Sequence, residues 1–297
     1  MVDRNVDADV VERVWRRHLD WSAAAREATD ATRRARLFAL VLAVAAAAAG
    51  TGASLLDGMT ARVLAFVAAV AVALGAIAGR ARDRDAVRVA TSLRAVAEAL
   101  KAQVYTYLAG ASPYDGADRE DVLMATANRL TPVDRELRQR VSAAAVRPEP
   151  LPAVSDVDTY TRHRAREQVD DYYRPRARRM GRSAKWCRRV EWWLGVAAAL
   201  GSVAAGTLEL TQATVWLGVV TTATTAVGAH AKASRYEYLQ FAYSQTADEL
   251  EALLAGRRSG RIPDAAFVAA CERLLAAENQ AWLALWESSD GEGRAAT

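Results

Sequence analysis

Residues 37–56 read LFALVLAVAAAAAGTGASLL, and residues 63–79 read VLAFVAAVAVALGAIAG. Neither stretch contains a charged residue, and both have the length of roughly 17 to 25 apolar residues that a helix needs to cross a bilayer. The alternative interpretation is a buried hairpin in the core of a large soluble bundle. Helices of such a bundle are normally amphipathic, whereas these are apolar on every face, so membrane insertion is favoured.

A second pair of nearly uncharged stretches follows in the other half of the chain. Polar segments around Asp57 and Glu209 interrupt the two pairs, so each pair is predicted to form a tight helical hairpin. No segment shows the alternation typical of a strand. We therefore predict an all-α integral membrane protein with two transmembrane hairpins, continued by long cytoplasmic helices. The four spans are expected at about 37–56, 63–79, 192–208 and 210–230.

The average composition conceals this organisation. The chain has 297 residues, 39 Lys+Arg against 35 Asp+Glu, and a mean hydropathy of −0.05, which resembles an ordinary soluble protein. The net charge of +4 is too small to indicate a nucleic-acid partner. Two cysteines cannot build a disulfide framework or a four-ligand zinc site.

Basic residues gather next to the predicted spans, while the hairpin tips carry only Arg62. The positive-inside rule then places both termini in the cytoplasm. One basic cluster precedes the third span, beside Trp186, Trp192 and Trp193, and is predicted to contact anionic lipid headgroups; a solvated helix face is the alternative. Its members are Arg178, Arg179, Arg182, Lys185, Arg188 and Arg189.

The remaining segments are predicted to be cytoplasmic helices. Residues 9–36 lack Pro and Gly and should run directly into the first span. A helix over 119–145 should be interrupted near Thr131–Pro132, a helix from Asp156 should kink at Pro175, and a last helix should cover Asp264–Glu287.

The fourth span carries small and hydroxylated residues at spacings of three and four, which place them on one helix face. This face could line a water-filled path, where hydroxyls replace part of an ion's hydration shell. It could equally let two helices approach closely. The residues of this face, which we call the threonine stripe, are Thr214, Gly218, Thr221, Thr225, Gly228 and Lys232.

Asp57 and Glu209 are candidates for the outer mouth of a pore, where carboxylates would favour cations; the alternative is that they are solvated turn residues. We assign no catalytic residue, no metal site and no cofactor. No two of His18, His163 and His230 have metal-ligand spacing, and the chain carries no phosphate-binding loop or nucleophile elbow.

The run SLRAVAEALK at 92–101, with YTY at 105–107 and SPY at 112–114, resembles the post-membrane segment of SLATT-domain proteins. These are two-span modules named for their association with SMODS nucleotide synthetases and SLOG sensors. The second half, from Tyr172 to the late helix with Glu278 and Trp282, has the same layout. The chain thus resembles a tandem pair: a first module at 1–146, a Pro-rich linker at 147–155, a second module at 156–290 and a flexible tail at 291–297.

The resemblance implies a membrane effector of a bacterial conflict or anti-phage defence system. We predict an oligomeric pore or ion-channel-like effector in the bacterial inner membrane, gated through its cytoplasmic helices. Its expected partners are the lipid bilayer, further copies of the chain, and a separate sensor protein or a nucleotide-type signal. The alternative is a non-conducting scaffold that recruits cytoplasmic partners to the inner leaflet.

Overall fold

A computed structural model describes residues 3–80, 84–207 and 211–278. Within these ranges all regular secondary structure is helical and there is no strand. The all-α prediction is confirmed.

The first helix, α1 (Asp3–Leu55), continues without a break from the charged N-terminal segment into the apolar stretch, as predicted. The chain then reverses at Gly58, whose φ of 70° is accessible to a residue without a Cβ, and α2 (Gly58–Arg80) follows. The two helices pack closely where glycines remove side chains. A Cβ added to Gly52 would lie 3.2 Å from Leu64 Cδ1.

Both helices of this hairpin expose their apolar side chains. Over Asp9–Leu55 and Gly58–Ile77 they are long and apolar enough to cross a membrane, and 6% of the most apolar window of each is buried. Phe66 is 70% exposed. A core helix of a soluble bundle would be mostly buried, so this surface fits contact with lipid instead.

A second hairpin consists of α7 (Arg174–Thr207) and α8 (Thr211–Ser234). The two helices cover the described parts of the predicted third and fourth spans, and a Cβ added to Gly201 of α7 would lie 3.2 Å from Leu217 Cδ2 of α8. Among the described residues, α1 and α2 are long and apolar enough to cross a membrane, whereas α7 and α8 are less apolar and do not reach that level. Their glycine, serine and threonine residues lower the hydropathy of the pair.

The chain divides into two compact units. The described parts of Ala31–Asp83 and Arg178–Gln240 form the first, which we call the apolar unit because it holds both hairpins. The described parts of Met1–Asp30, Arg84–Ala177 and Phe241–Thr297 form the second, the polar unit. Each unit thus takes segments from both halves of the chain.

The polar unit is built from the start of α1 and a series of shorter helices. Thr131 and Pro132 separate two of them, as predicted. The last helix is described to residue 278, and its predicted continuation with Trp282 lies outside the described residues, as does the predicted tail. The helices are α3 (Arg84–Leu108), α4 (Arg119–Leu130), α5 (Arg135–Ala143), α6 (Val157–Tyr160), α9 (Tyr236–Arg258) and α10 (264–278).

A line of aromatic rings crosses the core of the polar unit. Ring centroids lie 6.4 Å apart between Trp15 and Tyr105, 6.4 Å between Tyr105 and Tyr160, and 6.3 Å between Tyr160 and Phe267. Trp15 Nε1 also donates a hydrogen bond of 2.9 Å to the backbone oxygen of Glu149. This bond fixes the Pro-rich segment, which the prediction treated only as a linker, against α1.

The segment before α7 departs from α geometry. It begins with Asp156, whose side chain accepts from the backbone of Thr159 in a capping box. After α6 the chain is π-helical over Thr161–Arg166 and Gln168–Tyr173. π-Helices are rare and are concentrated at functional sites. We predicted a kink at Pro175, whereas the departure from α geometry lies at 161–173, before that residue.

Candidate functional site

The threonine stripe lies on the surface of the apolar unit. Gly218, Thr221, Thr225 and Lys232 are exposed. A Cβ added to Gly218 would meet nothing within 4 Å. Four described members of the stripe are therefore accessible on the surface of the chain.

One edge of the stripe contacts α7. A Cβ added to Gly228 would lie 3.1 Å from Glu191 Oε1, so a larger residue there would displace that carboxylate. Leu217, one helical turn before Thr221, packs against Gly201. The face of α8 that packs within the hairpin thus adjoins the stripe and shares Gly228 with it.

The threonine hydroxyls of α8 bond to the preceding turn of their own helix. Thr221 Oγ1 donates to the backbone oxygen of Leu217, Thr222 Oγ1 to that of Gly218 and Thr224 Oγ1 to that of Val220, each at 2.8 Å. Such bonds satisfy the hydroxyl proton in an apolar setting and leave its oxygen free to accept from another group. Thr214 lies in α8, and its side chain is outside the described residues.

Of the two predicted outer-mouth residues, the structure describes Asp57. Asp57 is exposed in the turn between α1 and α2. Glu209 lies outside the described residues. An exposed carboxylate at a hairpin tip is compatible with both interpretations of its role.

The basic cluster of α7 is exposed along its length. Arg188 makes an ion pair with Glu237, at the start of α9. Trp192 and Trp193 follow it with exposures of 60% and 59%, the arrangement of an aromatic belt beside a basic rim. The exposed members are Arg178, Arg179, Arg182, Lys185, Arg188 and Arg189.

The polar unit contains a buried ion pair that sequence reasoning missed. Arg164, in the first π-helical segment, is 2% exposed and donates from Nε and Nη2 to the two carboxylate oxygens of Glu272 at 3.0 Å each. Tyr160 donates its hydroxyl proton to Glu272 Oε1 at 2.8 Å. The guanidinium carbon of Arg164 also lies 4.7 Å from the centre of the Tyr105 ring.

Three charged residues of α3 lie close to this pair. Arg94, Glu98 and Lys101 are spaced by four and three residues and so share one helix face. Burial would raise the pKa of Glu98, but Lys101, Arg164 and Arg94 outweigh it and lower that pKa, so the carboxylate stays ionised. Burial and the Arg164 charge lower the pKa of Lys101. Burial would likewise lower the pKa of Arg164, and the Glu272 carboxylate more than offsets it.

One feature of the sequence could have indicated this cluster. The charged residues of α3 flank the apolar face formed by Leu93, Leu100 and Val104, where a solvated charge is unusual. The partner of Arg164, however, is 108 residues away in Glu272. Pairing over such a separation depends on the tertiary fold and cannot be read from local spacing.

The three histidines have different interaction partners. His18 is buried, and its Nδ1 donates to the backbone oxygen of Ala97 at 2.8 Å. His163 pairs with Glu167 on the surface, and His230 lies 3.1 Å from the hydroxyl of Tyr236. Among the described residues no group of three or more His, Cys, Asp or Glu side chains could hold a metal ion.

Comparison with known families gives two matches. Residues 160–282 match the model described as SMODS and SLOG-associating 2TM effector domain 1. Residues 20–122 match a second model, described as Protein of unknown function (DUF4231). No curated protein and no solved structure matches the chain.

The first match begins in α6 and covers the π-helical segments, both helices of the second hairpin, α9 and the described α10. It confirms the predicted family for the second half of the chain. The tandem arrangement stays a prediction, because the half that carries the 92–114 motif matches a model of unknown function. A two-span domain together with two exposed apolar helices identifies a membrane protein.

Proposed function

Because residues 160–282 of the chain belong to the SLATT family of two-span effector domains, we propose that the protein is an oligomeric pore- or channel-like effector of a bacterial defence system. It acts in the inner membrane without catalysis, and its polar unit receives the signal from a separate sensor protein or a nucleotide-type molecule. The observation that carries this proposal is the exposed threonine stripe on α8, the second helix of the second hairpin.

In this proposal both hairpins span the bilayer, so the chain crosses it four times with both termini in the cytoplasm. The exposed basic cluster of α7 supports this orientation, since Lys and Arg concentrate on the cytoplasmic side of spans. The neighbouring exposed pair Trp192 and Trp193 supports an interface at the start of the third span. Exposed apolar residues continue beyond it at Leu200 and Val203.

The stripe favours assembly of several copies. A face of glycine and threonine gains little from lipid tails, whereas small residues allow helix backbones to approach closely. Because the contact with α7 uses the adjacent face of α8, the stripe remains available to another copy. In a ring of copies, hydroxyl oxygens that already donate to their own helix could still accept from water or coordinate a cation.

The scaffold alternative has one observation in its favour. The hydroxyls of Thr221, Thr222 and Thr224 are all engaged by their own helix, as they would be in a stripe that only packs against another helix. Assembly without ion flux would distinguish a scaffold from a pore.

Two measurements on the full-length protein in phosphatidylethanolamine–phosphatidylglycerol vesicles test the proposal. Thr221→Cys and Thr225→Cys variants should form disulfide-linked dimers on oxidation, because both positions would face a neighbouring copy. Both native cysteines are buried and should stay silent under the same treatment. Vesicles with trapped potassium should release it, and Thr221→Leu with Thr225→Leu should reduce the release rate by at least about tenfold.

Ser202→Leu is the matched control for the leucine variant. Ser202 is exposed on α7, and its hydroxyl also donates to a backbone oxygen one turn earlier, that of Ala198, at 2.8 Å. It lies outside the stripe and should leave the release rate unchanged. Cross-links without ion release under any sensor or nucleotide added would favour the scaffold, and the absence of both would contradict assembly through the stripe.

A further inference from the structure

A half-open cavity of 290 Å³ lies in the polar unit, beside the buried ion pair. Ala95, Ala99 and Ala102 of α3 form one of its walls, at spacings of four and three that bring them onto one helix face. Leu130, Leu275 and Ala276 contribute further apolar surface. The volume is close to the lower limit of small-molecule sites, which are mostly apolar with a few placed polar groups. We call it the α3–α10 cavity.

Three polar side chains line this cavity: Glu98, Arg164 and Glu272. Arg164 uses Nε and Nη2 on Glu272, but its Nη1 is buried and has no hydrogen-bond partner among the described residues. Buried donors are satisfied in the great majority of native structures, and Arg164 lines the cavity, so a small shift of its guanidinium would let Nη1 donate to an acceptor held there. Glu98 brings an ionised carboxylate to the same cavity, which can accept from a donor.

The charges around the cavity select against an ionic occupant. Glu272 neutralises Arg164 through two hydrogen bonds, and Lys101 is the positive charge that acts most strongly on Glu98. An added anion would face the carboxylates of Glu98 and Glu272, and an added cation would face Arg164. A neutral molecule can satisfy both free groups without disturbing this balance.

We propose that the α3–α10 cavity binds a small uncharged molecule that presents a C=O to Arg164 Nη1 and an adjacent N–H to Glu98. Lactams and nucleobases have this edge and are of suitable size. The alanine wall of α3 gives a smooth surface against which a flat ring can lie. This inference goes beyond the proposed membrane function and does not depend on whether the protein conducts ions.

Binding of two probes to the full-length protein in detergent tests the site by isothermal titration calorimetry. 2-Pyridone carries the N–H beside the C=O, whereas N-methyl-2-pyridone keeps the C=O and loses the donor. We expect 2-pyridone to bind at about 1 mM or below and the methylated probe to bind about tenfold more weakly, since one hydrogen bond to a charged group is lost. Equal binding of the two probes, or no binding of 2-pyridone at millimolar concentration, would overturn the proposal.

Variants then locate the binding. Ala99→Leu fills the cavity without touching its polar groups and should abolish binding of 2-pyridone. Ala143→Leu makes the same change at an exposed position of α5 and should have no effect. Glu98→Gln keeps the shape of the acceptor but removes its charge, and should weaken 2-pyridone about tenfold. Unchanged affinity in both Ala99→Leu and Glu98→Gln would show that the probe binds elsewhere.

Discussion

The polar and apolar units differ in which side chains they bury and which they expose. The polar unit buries Arg164 and Glu272 with a line of aromatic rings, whereas the apolar unit exposes Phe66 at 70% and Leu200 at 66%. In water alone the second pattern would be costly, because exposed apolar area is unfavourable at about 25 cal/mol per Å². The difference indicates two solvents, an aqueous one for the polar unit and lipid for the apolar unit.

The two units also differ in the contacts that determine their folds. Lipid tails do not discriminate among apolar side chains, so the apolar unit can be assembled from alanine, valine and leucine with glycines at the close contacts. The polar unit instead depends on individual pairings, such as the two hydrogen bonds from Arg164 to Glu272. Single substitutions should therefore have larger effects on the polar unit.

The largest effect is expected from Glu272→Ala. Removal of the carboxylate leaves the Arg164 guanidinium buried without its counter-charge, which typically costs about 3–5 kcal/mol. Native-state hydrogen exchange of α3 and α10 amides should report this loss. Glu136→Ala breaks an exposed pair with Arg140 and should change the same protection by no more than about 0.5 kcal/mol. If the two variants lost the same amount of hydrogen-exchange protection, the buried pair would stabilise the unit no more than a surface pair does.

A matched pair of phenylalanine substitutions compares the two units directly. Phe267 is fully buried in the polar unit, so Phe267→Ala should lower the free energy of unfolding of that unit by about 3–5 kcal/mol. Phe66→Ala removes a side chain already exposed on α2 and should cost less than about 1 kcal/mol in detergent. A large loss from Phe66→Ala would mean that this face packs against protein rather than lipid or detergent.

Buried His18 should make the polar unit sensitive to acid. Burial lowers the pKa of His18 from 6.5 to about 4, so between these values the unfolded chain binds a proton that the folded chain does not. Stability is therefore retained above about pH 6.5 and falls by roughly 3 kcal/mol as the pH approaches 4. The difference between the wild-type and His18→Gln unfolding profiles should show this slope. A wild-type profile parallel to that of His18→Gln would contradict the assignment.

The local pattern of the sequence predicted much of the fold. The absence of Pro and Gly over 9–36 predicted a helix continuous with the first span, and Thr131–Pro132 marked the break between α4 and α5. Both features act within a few residues, since proline removes a donor and clashes with the preceding turn. The π-helical geometry of 161–173 could not be predicted this way, because no residue there excludes an α-helix.

The surroundings of the candidate site residues could also be predicted only in part from the sequence. Spacing predicted that the threonine stripe occupies one face of α8, because that follows from helix geometry alone. It did not predict that Gly228 contacts Glu191 while Thr221 and Thr225 stay exposed, since this depends on how α7 and α8 cross. The unpartnered Nη1 of Arg164 could not be predicted either, because its burial depends on helices that lie far apart in sequence.

The smallest effect is expected from the exposed basic cluster of α7, where the apolar unit meets its predicted lipid headgroups. Arg178→Gln with Arg179→Gln should weaken retention of phosphatidylglycerol by about 1 kcal/mol for each charge removed, because each arginine near the surface adds a screened attraction. Quantitative lipid analysis of detergent-purified protein measures this, and high salt should reduce the wild-type retention toward that of the variant. Arg135→Gln with Arg138→Gln removes two charges from α5 of the polar unit and should leave lipid retention unchanged. Equal losses from both double variants would mean that net charge, rather than the position of the cluster beside the spans, governs the contact.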